Sequence, residues 1–114
     1  LAYSPLASGI LSGKYSGGAI PKGSRGDREP NMGRKNDTSL MVADKYVALA
    51  RAHGLDPSAM AIAFCLTRPF MASAIIGATS LEQLKIAISA ADITLSDDVM
   101  EGIAAIHKEH PAPF

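Results

Sequence analysis

Two short segments carry residue types that could hold a phosphate-bearing ligand. In the first, Gly77-Ala78-Thr79-Ser80, an apolar run passes directly into the start of a helix. The first turn of a helix has unpaired N–H groups and a partial positive charge, which together favour a phosphate. Gly77 allows close approach of the backbone, and the next residues offer hydroxyl groups. The alternative is ordinary helix capping, which is common at Ser and Thr.

The second segment is Tyr3-Ser4-Pro5-Leu6-Ala7-Ser8-Gly9, at the end of another short apolar run. An aromatic ring at the end of a strand can stack on a flat ring. Hydroxyl groups and free backbone amides after it could bind a pyrophosphate. A strand end followed by a simple turn explains the same pattern.

A long segment from Ala7 to Asn36 follows, rich in Gly, Ser, Pro and charge. Its glycines and prolines exclude a long regular element, and loops of this length are usually functional or disordered. The charged side chains favour a flap over a ligand; they are Lys14, Lys22, Arg25, Asp27 and Arg28.

Helical patterns then predict two consecutive helices. Apolar residues at helical spacing predict the first from about Ser39 to His53, with Gly54 as its stop. Asp56 as N-cap and Pro57 at the first helical position predict a second helix, which runs to about Thr67. This second helix is apolar almost all round and is therefore expected to be buried.

The remaining elements are a strand and two more helices. Leu1 to Tyr3 reads as the end of one strand, and Ser73 to Gly77 as a buried parallel strand. Two overlapping capping boxes, beginning at Thr79 and at Ser80, predict a helix after it. Its expected inner face consists of Leu84, Ala87, Ile88 and Ala91. Ser96 is the expected cap of the last helix.

This order predicts an α/β fold with a parallel sheet. Two strands are too few for a stable sheet. The 114 residues are also far fewer than the ~250 of an eight-stranded barrel, so part of a larger barrel or open sheet is expected. The opening at Leu1, inside an apolar stretch, also suggests a fragment, a processed chain or a partial model.

Composition narrows the classes of partner. The formal net charge is zero, so electrostatics gives no reason to expect nucleic acid or an anionic membrane. One cysteine, Cys65, suits a reducing compartment, and no apolar run is long enough to span a bilayer. A cytoplasmic location is expected. The three histidines share no spacing typical of a metal site, and no metal is expected.

Taken together, the two segments resemble the aldo-keto reductase family, particularly its bacterial NADP-dependent and potassium-channel β-subunit branches. The resemblance covers nearly the whole chain and is carried by residues 1–15, 59–67 and 75–85. It implies the C-terminal part of a TIM (β/α)8 barrel, with residues 1–114 belonging to one domain. The first segment would be strand seven, and Ser73 to Gly77 strand eight.

The resemblance also implies an NADP(H) site. Tyr3 would stack on the nicotinamide, and Ser4, Leu6 and Ser8 would line the pyrophosphate, with Pro5 in the same group. Lys14 and Arg25 would pair with phosphates, including the 2′-phosphate. The adenosine end would be held by Gly77, Thr79 and Gln83.

Two departures qualify that expectation. Ile86 and Ala87 stand where the family often has Glu-Asn, so a weaker or differently held adenine is expected. The catalytic Tyr, Lys, Asp and His of the family lie on earlier strands, so no catalytic residue is expected here. The implied activity is reduction of a small-molecule aldehyde or ketone by NADPH, with the rest of the barrel as partner. The alternative is a non-catalytic NADP-binding regulatory module like a channel β-subunit.

Overall fold

A computed structural model describes all residues, 1–114. Two short strands, β1 (Ala2–Tyr3) and β2 (Ala74–Ile75), pair in parallel with Ala2 opposite Ala74 and Tyr3 opposite Ile75. The Ala2 N–H donates to the Ser73 carbonyl at 2.9 Å, one residue before β2. The predicted strands and their parallel arrangement are confirmed, although each is shorter than expected. The second strand is not buried as predicted, since Ile75 is 49% exposed in a sheet of only two strands. The two candidate ligand-binding segments therefore begin side by side.

The long segment after β1 contains only short turns, as predicted. Two 3-10 turns, Ala7–Ser12 and Ser16–Gly18, are followed by one helical turn, α1 (Arg25–Arg28). Ser24 caps α1 by accepting from the Asp27 N–H, and the Asp27 carboxylate in return accepts from the Gly23 N–H at 2.8 Å. This reciprocal bonding gives the tip of the loop a defined conformation.

The first long helix, α2 (Asp37–Ala52), begins two residues before the predicted start. Asn36 is its N-cap, and Ser39 completes the capping box from the third helical position. Because a serine rather than Glu or Gln closes this box, the usual sequence signal was not present. The buried face consists of Ser39, Val42, Ala43, Val47 and Ala50.

Helix α3 (Pro57–Leu66) begins as predicted, with Asp56 as cap and Pro57 in the first turn. It packs against α2, β2 and the first 3-10 turn, and on its other side against the helix that follows β2. Its buried residues are Pro57, Ala59, Met60, Ile62 and Ala63. The prediction of a buried helix is confirmed, because α3 is central to the packing.

Helix α4 (Leu81–Ser89) continues into a 3-10 turn, Ala90–Asp92. The Ser80 side chain is its cap and accepts from the Gln83 N–H. The predicted box from Ser80 to Gln83 is only half formed, because the Gln83 Oε1 accepts from the Thr79 N–H and not from that of Ser80. The predicted inner face is correct only at Ala87, which packs towards α3 together with Ile86 and Ala90. Leu84 and Ile88 are instead 38% and 60% exposed. Ala91 is exposed as well. Apolar residues lie on both sides of α4, so periodicity alone could not identify the side that contacts α3.

The last helix, α5 (Asp97–Glu109), is capped by Ser96 as predicted and packs on α2. Val99 and Ile103 meet Ala50 and Met60 in one apolar cluster. A second cluster lies under the long loop, around Tyr15, and a third lies between α3 and α4. No helix of the structure is both long and apolar enough to cross a bilayer.

Candidate functional site

A cavity of about 730 Å³ lies between the two strand ends and the long loop. This volume falls within the usual ~300–1,000 Å³ of small-molecule sites. Every cofactor residue expected from the sequence lines it except Tyr3: Ser4, Pro5, Leu6, Ser8, Lys14, Arg25, Gly77, Thr79 and Gln83. Residues separated by most of the chain length thus line a single cavity.

The segment after β1 has an unusual backbone. Ser4, Ala7 and Ser8 have φ values of 58°, 49° and 63°, and they are the only non-glycine residues with positive φ. Such conformations cost free energy and persist where the surroundings enforce them, often at ligand sites. One restraint is the Arg34 guanidinium, which donates to the Ser4 hydroxyl at 3.3 Å. The end of the long loop therefore restrains this segment through Arg34, which does not itself line the cavity.

In the segment after β2, some polar groups form hydrogen bonds with each other. The Thr79 N–H and hydroxyl both donate to the Gln83 Oε1, at 2.9 and 3.0 Å. The Ser80 hydroxyl accepts from the Gln83 N–H at 3.2 Å. A ligand bound at this helix end would compete with the Thr79–Gln83 hydrogen bonds. The side-chain NH₂ group of Gln83 makes no hydrogen bond to the protein, in contrast to its backbone N–H.

Gly77 has open space where a side chain would be. A Cβ built there meets no atom within 4 Å, and its φ does not require glycine. Packing and backbone conformation therefore do not explain the glycine. Space for a ligand against the backbone remains an explanation for it.

Four basic side chains line the cavity, and no acidic side chain does. They are Lys14, Lys22, Arg25 and Arg28. The ion pairs of the structure involve only Lys45, Glu109 and His110, so none of the four has a carboxylate partner. A cleft lined by one sign of charge attracts ligands of the opposite sign. The cavity is consequently suited to an anion with several charges.

Several lining residues were not predicted as site residues. Ser58 and Ile62 come from α3, four residues apart and hence on one helical face. Ser12 and Ser24 come from the loop, where Ser24 also caps α1. For Ser58 and Ile62 the sequence did contain a signal, because their i, i+4 spacing places them on one face of a helix that was expected to be buried. For Ser12, nothing in the sequence distinguished it from the other loop serines.

Tyr3 lies apart from the others. Its side chain is 81% exposed, and it does not line the cavity. The ring stands at the end of β1 beside the cavity, with its faces open. Stacking of Tyr3 on a nicotinamide stays a prediction.

The residues present fit the phosphate-bearing part of a dinucleotide. Unpaired cations, serine hydroxyls and strained backbone line one cavity, which suits phosphate oxygens. The sequence model of the Aldo/keto reductase family matches residues 1–108 of the chain. The chain belongs to the aldo/keto reductase family.

Individual aldo/keto reductase relatives agree with this assignment. The chain is 43% identical to Protein tas of Escherichia coli (strain K12) over 99% of its own length and 34% of that protein. It is 34% identical to a probable voltage-gated potassium channel subunit beta of rice, Oryza sativa subsp. japonica, over 96% of the chain and 35% of the relative.

A third relative, named an uncharacterized oxidoreductase of Mycobacterium tuberculosis, is 40% identical over 84% of the chain and 29% of that protein. The chain thus spans about a third of the length of the curated relatives it matches. The family implies a TIM barrel, and two parallel strands with covering helices are consistent with part of one.

The aldo/keto reductase cavity has an apolar wall on the side of α4. Ile86 and Ala87 line it, and they are joined by Ile62, Ile75 and Ile76. At Ile86 and Ala87, the resemblance implies polar residues in the family, and a weaker or differently held adenine is expected here because neither side chain is polar. Dispersion and burial are the interactions that this wall can offer to a flat base.

None of the lining residues of this aldo/keto reductase chain is a tyrosine, a histidine or a carboxylate. Tyr15 is buried under the loop, and Tyr46 lies between α2 and the apolar residues of α3 and α5. Burial raises the pKa of the Tyr46 hydroxyl and of the Cys65 thiol, which disfavours their charged, nucleophilic forms. The cavity is equipped for binding and charge neutralisation.

Proposed function

We propose that this chain forms the NADP(H)-holding part of a barrel oxidoreductase that reduces aldehydes or ketones to alcohols. The observation that carries the proposal is the cavity between the two strand ends, lined by four unpaired basic side chains and no acidic one. NADPH bears a pyrophosphate and a 2′-phosphate, and it therefore needs several cationic partners. Family membership supports the same cofactor class.

Within this proposal, Lys14 and Arg25 pair with the phosphates, including the 2′-phosphate. Ser4, Leu6 and Ser8 hold the pyrophosphate, and Pro5 shapes the same turn. The adenosine end rests against Gly77, Thr79 and Gln83. Tyr3 would stack on the nicotinamide, which when bound would supply the hydride for reduction of the carbonyl.

The proposal includes a larger barrel, in which β1 and β2 are strands seven and eight. Outward-facing apolar residues on α4, namely Leu81, Leu84 and Ile88, support this arrangement, because a helix with two apolar sides packs between two layers. The rest of the barrel would cover them and supply the catalytic residues. All 114 residues would then belong to one domain.

Titration of NADPH and NADH into the full-length protein tests the cofactor assignment. Lys14→Ala and Arg25→Ala are each expected to weaken NADPH binding by about tenfold or more, since each would lose a charge-assisted hydrogen bond to phosphate. Lys108→Ala, on α5 outside the cavity, is the matched control and should bind NADPH like the wild type. Equal wild-type affinity for NADPH and NADH would remove the role given to Lys14 and Arg25.

The alternative function is a regulatory module that binds NADP(H) without turning over a carbonyl. The relatives named as potassium channel β-subunits favour it. Carbonyl-dependent oxidation of NADPH by the full-length protein discriminates between the two functions. Tight NADPH binding with no turnover across a panel of aldehydes and ketones would favour the regulatory module.

A further inference from the structure

Tyr15 connects two parts of the cavity wall from beneath. Its side chain is 1% exposed and packs in the apolar cluster of Ala7, Ile10, Met32 and Ala43. Its hydroxyl accepts a hydrogen bond from the Gly26 N–H at 2.9 Å. A buried N–H without a partner is costly, so this bond holds the backbone of α1 against the tyrosine ring.

Gly26 is required for this contact. A Cβ built at Gly26 would lie 2.8 Å from the Tyr15 Cε1 and 3.2 Å from Cζ. The ring cannot move away easily, because it is enclosed by the apolar cluster beneath the loop. The close approach of Tyr15 and Gly26 thus depends on both residues.

The contact sets the relative position of two cationic residues. Lys14 precedes Tyr15 and Arg25 precedes Gly26, and both Lys14 and Arg25 line the cavity. The Lys14 and Lys35 ammonium groups lie 5.9 and 5.8 Å from the centre of the Tyr15 ring, where cation–π attraction acts. One buried tyrosine therefore orders the cations next to it and fixes the turn that carries Arg25.

We propose that Tyr15 is a positioning residue that determines the preference for NADPH over NADH by holding the Arg25 turn beside Lys14. The proposal rests on the proposed function, because it deepens the role of the same cavity. Tyr15 does not touch the ligand space itself. It acts through Gly26 on the turn that carries Arg25. With Arg25 assigned to the 2′-phosphate, loss of Tyr15 should affect that phosphate more than the rest of the dinucleotide.

The test measures NADPH and NADH binding by Tyr15→Phe in the full-length protein. Tyr46→Phe is the control, because Tyr46 lies outside the cavity and its hydroxyl makes no hydrogen bond to the protein. Tyr15→Phe is expected to weaken NADPH binding by about fivefold to tenfold and to change NADH binding by less than about twofold. Tyr46→Phe should leave the ratio of the two affinities unchanged. An equal loss for both dinucleotides, or no loss, would overturn the role of Tyr15.

A second pair of variants distinguishes loss of the Tyr15–Gly26 contact from a general folding defect. Gly26→Ala should reduce the NADPH preference in the same way, whereas Gly33→Ala in the same loop should not, because a Cβ at Gly33 meets no atom within 4 Å. Thermal melting of each variant checks that the protein remains folded.

Limited trypsin cleavage provides a readout without any cofactor. Trypsin cuts after Lys22, Arg25 and Arg28, and Tyr15→Phe should speed cleavage there, because local opening exposes the turn. If the wild type prefers NADPH, but Tyr15→Phe changes neither the rate of cleavage nor the ratio of the two affinities, only the Tyr15 proposal is overturned. A wild type that binds no NADPH would overturn the proposed function and the positioning role together.

Discussion

Glu109 joins the end of α5 to α2 through one exposed ion pair. Its Oε1 lies 2.8 Å from the Lys45 Nζ and 3.4 Å from the His110 Nε2. The hydrogen bond from Lys45 and its charge, with a further contribution from His110, lower the pKa of Glu109 below its ordinary 4.5. Exposed pairs of this kind contribute little to stability, and salt screens them.

The lowered pKa gives this pair a defined pH dependence. A carboxyl group whose folded-state pKa is depressed stabilises the fold above its unfolded pKa and ceases to do so as pH falls through the folded value. Glu109→Gln should therefore melt slightly below the wild type at neutral pH, and the two should converge on acidification below 4.5. Melting temperatures across pH measure this. Glu101→Gln, exposed on the same helix, is the control, and a difference that grows in acid would contradict the assignment.

At the residue scale, the sequence predicted which residues line the cavity better than it predicted the hydrogen bonds among them. Lys14 lies in a block that carries the family resemblance, whereas Arg25 was carried over from the resemblance by alignment across the loop; both line the cavity. The pairing of Thr79 with Gln83 could not be predicted, since capping and ligand binding use the same residue types at a helix start. The Tyr15–Gly26 bond joins loop residues whose separation has no periodicity to reveal it.

Among the elements, α2 begins with a capping box in which the N-cap residue, Asn36, is exposed and the partner serine, Ser39, is fully buried. Ser39 is 0% exposed; its hydroxyl accepts from the Asn36 N–H at 2.9 Å and donates to the Arg34 carbonyl at 2.7 Å. The cap thus ties the end of the long loop to the helix. Arg34 in turn restrains Ser4 in the cavity wall.

Ser39→Ala is expected to destabilise the protein by about 1–3 kcal/mol, because the partly buried Asn36 N–H and Arg34 carbonyl lose the hydroxyl that they bond to. Thr38→Ala, one residue earlier and exposed, should cost well under about 1 kcal/mol. Urea denaturation of the full-length protein gives both free energies of unfolding. Equal costs for the two variants would mean that the buried serine adds nothing to the cap.

Element boundaries followed from the sequence wherever a cap had a distinct signature. Asp56-Pro57 and Ser96 marked the starts of α3 and α5 correctly. The orientation of α4 about its own axis did not follow, because Leu84 and Ile88 are as apolar as Ile86 and Ala90. Only the packing of α3 against α4 decides which side is buried within this chain.

For the molecule as a whole, the exposed apolar side of α4 is the feature that most needs a partner. Leu81 is 67% exposed and Ile88 60% exposed. The proposed barrel would bury both. Parallel strand pairing could be inferred from the order of elements, but the cavity could not, since it depends on how the long loop folds back over both strand ends.

Ile88→Asp tests whether α4 is covered in the full-length protein. If the barrel buries Ile88, an unpaired carboxylate there should destabilise the protein by at least ~3 kcal/mol. Glu82→Asp, on the polar side of α4, should change stability by less than about 1 kcal/mol. Chemical denaturation measures both. Near-neutral behaviour of Ile88→Asp would show that this side of α4 faces solvent in the whole protein.

The pairing of β1 with β2 has a consequence for the order of folding. The two strands lie about 70 residues apart in sequence, and closing a loop of that length costs on the order of 4 kcal/mol in chain entropy. Helices form from local contacts, so the two walls of the cavity should meet only late, after the intervening helices have packed. A molecule bound across both walls would then hold together contacts that the folding transition state lacks. It would lengthen the lifetime of the native state while leaving the rate of folding nearly unchanged.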